Sequence, residues 1–374
     1  MKEKLGVNAA HVRKMFPGSN SAYGFHSFYD EIIADDAARI FVIKGGPGVG
    51  KSTFMRSIGE KLWKMGYELE LHCCSSDNDS LDGIVIPQLN IACIDGTAPH
   101  IVDPKNPGVV DEIVHLGDYW NEESMLIYRD AVLQTNREIT RLFRKAYNYL
   151  GAAKMFLDEV EGFYRENGAL YVDGLNRVAL QLIDEIFEGK IIEWFDSTRQ
   201  RRQRHLFATA ITPAGPISYL ETIIAKVPQK YIIKGDDGTG KNELIARLKD
   251  AARMHGFFVE VFHCALDPQK IDHVIIPELG VAVLNSVTPH ILFPGPGDRV
   301  IETDNYTRDP GRDKKHEREV AREMYHRSMD EAISFILRAK KLHDELEAYY
   351  VPNMSFGKID KVRDSVMEKI LSYA

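Results

Sequence analysis

The chain has 374 residues, with 55 acidic against 47 basic side chains and a formal net charge of −8 at pH 7. With 44% hydrophobic and 27% charged residues, that is the balance of a soluble globular chain, and it argues against a general nucleic-acid binder. No run approaches the roughly eighteen consecutive apolar residues of a membrane helix, the first residues lack a secretory apolar segment, and the four cysteines show no C-x-x-C spacing, so a reduced, cytoplasmic setting without membrane contact is expected.

In chain order, the first informative segment is Ile40-Phe41-Val42-Ile43, a β-branched and aromatic run suited to a buried strand. It leads into Gly45-Gly46-Pro47-Gly48-Val49-Gly50-Lys51-Ser52, a complete G-x-x-x-x-G-K-[ST] phosphate-binding loop, followed by Thr53. From Ser52 onward, Phe54, Met55, Ile58 and Leu62 recur at helical spacing up to Gly66, a predicted C-cap. Strand, glycine loop and helix are the context that gives the motif meaning. Glycines permit the positive φ that turns backbone N–H groups inward, and the helix N-terminus favours an anion. Lys51 would then meet the β and γ phosphates, and the Ser52 hydroxyl would ligate Mg²⁺.

A second strand is predicted over 67–74, then a polar turn over 75–83, then strands at 84–87 and 90–95, the last ending at Asp95. The polar turn resembles a calcium loop superficially, but Leu81 stands where a ligand is required. His72-Cys73-Cys74 and His263-Cys264 lie in apolar strands without the paired spacing of a zinc site. Residues 121–150 are charged, periodic and free of proline, and read as a long helical hairpin, either architectural or a surface for a protein partner. The basic run Arg199, Arg201, Arg202, Arg204 at the midpoint reads as a linker, or as a source of an arginine finger.

From there the chain repeats itself. Residues 41–104 and 231–294 align without a gap and share roughly 19 of about 64 positions, which marks a duplication. The likeness extends to 24–33 against 215–224, to the helical stretch 152–187 against 338–371, and to 121–150 against 317–346. Two tandem domains follow, 1–203 and 204–374. Each is expected to be an α/β domain with a mostly parallel sheet flanked by helices and a long helical hairpin.

The first copy resembles the P-loop NTPase superfamily, in its ATP-binding branches, and the whole chain resembles a duplicated bacterial P-loop ATPase-like family. That resemblance implies two P-loop NTPase domains and Mg-ATP as ligand. It assigns Gly45, Gly46, Pro47, Gly48, Val49, Gly50, Lys51, Ser52 and Thr53 to nucleotide binding. Ser52 and Asp95 would hold Mg²⁺, and Lys51 and Asp95 would act in catalysis. No Glu follows Asp95 to polarise water, so hydrolysis is expected to be slow or to use a group supplied from elsewhere.

The second loop reads Gly235-Asp236-Asp237-Gly238-Thr239-Gly240-Lys241-Asn242, and its strand ends at Asn285 where the first ends at Asp95. Both expected metal anchors have become amides, which are weaker ligands for a hard cation. Asp236 and Asp237 add negative charge beside any polyphosphate, about 4 kcal/mol per contact at roughly 4 Å and an effective dielectric near 20. The expectation is an Mg-ATP-dependent ATPase or switch with a degenerate second copy. Its rivals are a small-molecule or nucleotide kinase, in which Asp77, Asp79, Asp82 or Asp103 positions an acceptor hydroxyl, and a non-catalytic sensor that signals to a protein through its long helices. The pairs Pro99-His100 and Pro289-His290, Asp77 and Asp267, and Asp82 and Asp272 recur in both copies and read as structural.

Overall fold

A computed structural model describes residues 11–97, 101–190 and 203–374. The first copy runs β1 (Val12–Met15), β2 (Gly18–Ser21), β3 (Gly24–Ser27), β4 (Arg39–Lys44), α1 (Lys51–Lys64), β5 (Leu69–Cys73), β6 (Leu81–Ile86), β7 (Ile91–Asp95) and β8 (Asp111–His115). The helices α2 (Glu122–Leu126), α3 (Arg129–Glu166) and α4 (Val172–Phe187) follow. The second copy repeats the order as β9 (Gln203–Leu206), β10 (Thr209–Thr212), β11 (Gly215–Ser218), α5 (Leu220–Ile224), β12 (Gln229–Lys234), α6 (Lys241–Met254), β13 (Val259–His263), β14 (Ile271–Ile276), β15 (Val281–Asn285), β16 (Arg299–Glu302), α7 (Arg312–Tyr350) and α8 (Phe356–Leu371).

Two six-stranded sheets result, ordered β1-β5-β6-β7-β4-β8 and β9-β13-β14-β15-β12-β16, each flanked by helices in an α/β arrangement. As expected, each sheet is mostly parallel, with five of its six strands running the same way, but both are mixed, because one strand in each is reversed. β4 pairs in parallel with β7 and β8, and β5 with β1, but β6 is antiparallel to both β5 and β7. Only a polar turn and one short helical turn, Pro87–Leu89, join β5, β6 and β7. Connections that short cannot carry the chain back to a parallel start.

The chain divides into two compact units that do not coincide with 1–203 and 204–374. One comprises Met1–Pro17, Ser27–Leu142 and Leu337–Ala374; the other comprises Gly18–His26 and Phe143–Ile336. In the first, α8 of the second copy packs on α1; in the second, α4 of the first copy packs on α6. Each sheet thus keeps its own loop helix but takes its closing helix from the other sequence copy. The expected hairpins are replaced by single helices of 38 and 39 residues, α3 and α7, whose lengths run across the unit boundaries. An amphipathic stripe specifies that a helix will be buried, but not against which of two homologous sheets.

Locally the elements follow their residues. Phe41, Val42 and Ile43 are fully buried in β4, and Phe54, Met55, Ile58 and Leu62 form the buried face of α1. Gly66 ends that helix at φ 98°, a conformation that favours glycine. In the second unit Leu244, Ile245 and Leu248 of α6 pack in one core with Leu182 and Ile186 of α4 and Val283 of β15. Truncating one such leucine to alanine typically costs about 2–5 kcal/mol.

Candidate functional site

In the first unit β4 delivers the chain into the glycine loop, and α1 begins at Lys51 directly after it. Gly48 and Gly50 sit at φ 67° and 86°, where a Cβ would be strained, so the turn needs these glycines. Lys51 Nζ donates to the Gly45 and Gly46 carbonyls at 3.1 and 2.9 Å and lies 3.6 Å from Asp95 Oδ2. The Ser52 hydroxyl accepts from the Leu81 N–H at 3.0 Å, which leaves its second lone pair open. Asp95 stands at the end of β7, paired in register with Ile43 of β4, and its Oδ1 accepts from the Thr97 N–H at 2.9 Å. Lys51 thus stands within reach of Asp95, and Ser52 at the start of α1 is tied to the first residue of β6.

The sequence reading did not give Asp82 a place in this group. β6 and β7 pair Gly83 with Ile94, so Asp82 and Asp95 are the next residues along, on neighbouring strands. Asp82 is buried. Burial pushes its carboxyl up to about 7; the Tyr29 hydroxyl beside it opposes that rise and the Asp95 charge adds to it. Asp95 is likewise pushed up by burial, against the pull of Lys51. A buried and an adjacent partly buried carboxylate, with a serine oxygen, form a hard donor set, and the nearby cation, Lys51, already spends protons on loop carbonyls. The chemistry of these donors suits Mg²⁺. The available signal was Asp82 and Asp272 holding the same place in both copies.

Other expected residues are engaged elsewhere. Asp77 accepts from the Ser80 hydroxyl at 2.8 Å and lies 3.5 Å from Lys340 Nζ of α7. Asp103 pairs with Lys44 at 3.0 Å, and Lys44 also donates to the Gly96 and Val102 carbonyls. Asp79 is exposed. Arg204 lies in β9 and pairs with Glu260 of β13 at 3.6 Å, so this arginine serves the sheet. Arg199, Arg201, Arg202, Pro99 and His100 lie outside the described residues. The end of α7 closes on the outer side of the glycine loop: a Cβ on Gly46 would stand 3.3 Å from the rings of Trp120 and Tyr350, and one on Gly48 3.2 Å from the Glu347 carbonyl.

The second unit repeats the geometry with its charges rearranged. Lys241 Nζ donates to the Gly235 and Asp236 carbonyls, as Lys51 does to their counterparts. Where Ser52, Asp82 and Asp95 converge in the first unit, Asn242 and Asn285 each direct an amide N–H to Asp272 Oδ1 at 3.3 Å. Two neutral donors thus stand where a cation would satisfy the shared carboxylate. The expected repulsion from Asp236 is corrected by the structure. The Asp236 carboxylate accepts from Arg318, from Arg322 at 2.9 Å and from the Asp237 N–H at 2.9 Å. Burial pushes that carboxyl up, but the Arg318 and Arg322 guanidiniums and the Asp237 N–H together hold the group below the usual range. Its charge is offset before any ligand arrives.

Arg318 is also bonded to the Val160 and Asp237 carbonyls and stacked 4.8 Å from the Phe163 ring, with only 6% of its side chain exposed. Arg318→Met should therefore lower unfolding stability by about 2–3 kcal/mol, less than a wholly buried pair because Arg322 remains. Adding Asp236→Asn should recover part of that loss in the same denaturation measurement. Comparison of the chain with protein-family models, curated proteins and solved structures gives no match.

Proposed function

We propose that the first unit binds Mg-ATP through Gly45, Gly46, Pro47, Gly48, Val49, Gly50, Lys51, Ser52 and Thr53, as an ATP-hydrolysing enzyme or nucleotide-dependent switch. The observation that carries this reading is the meeting of Lys51, Ser52, Asp82 and Asp95 at the start of α1, set against its amide-filled counterpart in the second unit. The loop N–H groups and the α1 N-terminus would cradle the phosphates. Ser52 and Asp95, joined by Asp82, would hold Mg²⁺, which would neutralise charge developing on the β and γ oxygens. Lys51 would keep two protons on the loop carbonyls and direct the third to phosphate, fixing the loop and the ligand together.

A kinase reading is less favoured by the same geometry. Of the four carboxylates that might orient an acceptor hydroxyl, Asp77 and Asp103 are paired with lysines, Asp82 stands with Asp95, and Asp79 lies exposed in a loop. Phosphate release measured from ATP and GTP, with and without small hydroxylated acceptors, tests the choice. Slow, Mg-dependent release from ATP that is indifferent to acceptors is expected. Release that appears only with an acceptor would replace hydrolysis by phosphoryl transfer.

A further inference from the structure

The second unit carries a cavity of about 990 Å³ over the degenerate loop, at the upper end of the range for small-molecule sites. Its floor contains two buried polar atoms without a hydrogen-bond partner among the described residues, Asn285 Oδ1 and His290 Nε2. Leaving such atoms unsatisfied costs about 1–3 kcal/mol each. Asn285 uses its amide nitrogen on Asp272, so its oxygen is held with its lone pairs free. His290 uses Nδ1 near the Thr209 hydroxyl at 3.4 Å. A ligand group bearing O–H or N–H protons would satisfy the asparagine oxygen.

Next to Asn285, whose amide shares Asp272 with Asn242, lies the first turn of the 14-residue helix α6, with Gly238 and Gly240 at φ 80° and 87°, positive as at Gly48 and Gly50 in the first unit. The leading N–H groups of a helix have no intrahelical partners and attract an anion. Lys241 spends two of its three protons on loop carbonyls and keeps one. The cation place is filled by the Asn242 and Asn285 amides, and Arg318 and Arg322 are already committed to Asp236, so little positive charge is left for a triphosphate. Leu157, Ile211, Leu266 and Met329 supply apolar lining to the same cavity.

We infer that this cavity binds, without a metal ion, a phosphate monoester whose body is compact and partly apolar and carries hydroxyl or amino protons, the chemistry of a nucleoside monophosphate. The phosphate would sit on the loop and the start of α6, the body along the apolar lining, and its protons at Asn285 and His290. This site is independent of the reading given to the first unit.

The test is calorimetric titration of full-length Lys51→Ala protein in EDTA, which silences the first loop, with AMP, GMP and ribose 5-phosphate against adenosine and inorganic phosphate. One of the phosphate monoesters should bind at one site per chain at least tenfold more tightly than either fragment, with affinity unchanged when Mg²⁺ replaces EDTA. Adding Lys241→Ala or Asn285→Leu should each weaken it about tenfold; if either variant fails to fold, His290→Phe in the same titration decides. Monoesters binding no better than phosphate alone, binding that requires Mg²⁺, or binding untouched in every folded variant would overturn the inference.

Discussion

Lys51→Ala should erase most of the thermal stabilisation expected from saturating Mg-ATP. A ligand at about 100 times its Kd adds roughly 2.7 kcal/mol, and a unit of this size moves roughly 2–4 °C per kcal/mol, so the wild-type shift should be about 5–10 °C. Lys51 is the group whose remaining proton can reach phosphate in the first loop. Lys241→Ala should leave the shift nearly intact. The reason lies in the cation place: Asn242 and Asn285 already occupy Asp272, so the second loop offers Mg-ATP no metal anchor. Equal sensitivity to the two substitutions, read by scanning calorimetry with and without Mg-ATP, would mean that both loops take nucleotide.

Asp95→Asn should lower Mg-dependent turnover by about 100-fold or more, the scale seen when one preorganised electrostatic group is removed from a reacting centre. The substitution recreates in the first unit what Asn285 does in the second: the new amide can donate to Asp82 and close the place a cation would use. Asp82→Asn should act in the same direction. Both should also weaken Mn²⁺ binding measured by paramagnetic resonance without nucleotide, a readout that does not pass through catalysis. Unaltered Mn²⁺ affinity in both variants would remove these strand ends from the metal site.

What the sequence made legible was local. Strand, glycine loop and helix are consecutive, and their roles depend on the φ freedom of Gly48 and Gly50 and on the spacing of Phe54, Met55, Ile58 and Leu62, so they could be placed without the rest of the fold. Asp95 was found because an apolar strand ending in a carboxylate has few places to stand beside that loop. Asp82 was missed because its neighbour relation to Asp95 exists only through the antiparallel pairing of β6 with β7, and β-strand patterns alone do not fix strand direction. Arg318 and Arg322 were beyond reach for a similar reason: they meet Asp236 from α7, far along the chain. The exchange of α4 and α8 between sequence copies was hidden by the duplication itself, since each helix face fits a sheet of either copy.

The most direct measure of the central claim, one working nucleotide site beside one that has exchanged its metal for amides, is the stoichiometry of Mg-ATP binding. Calorimetric titration of the wild-type chain should give one tight site, lost in Lys51→Ala and kept in Lys241→Ala. Two tight Mg-ATP sites per chain, or one that survives Lys51→Ala, would contradict it.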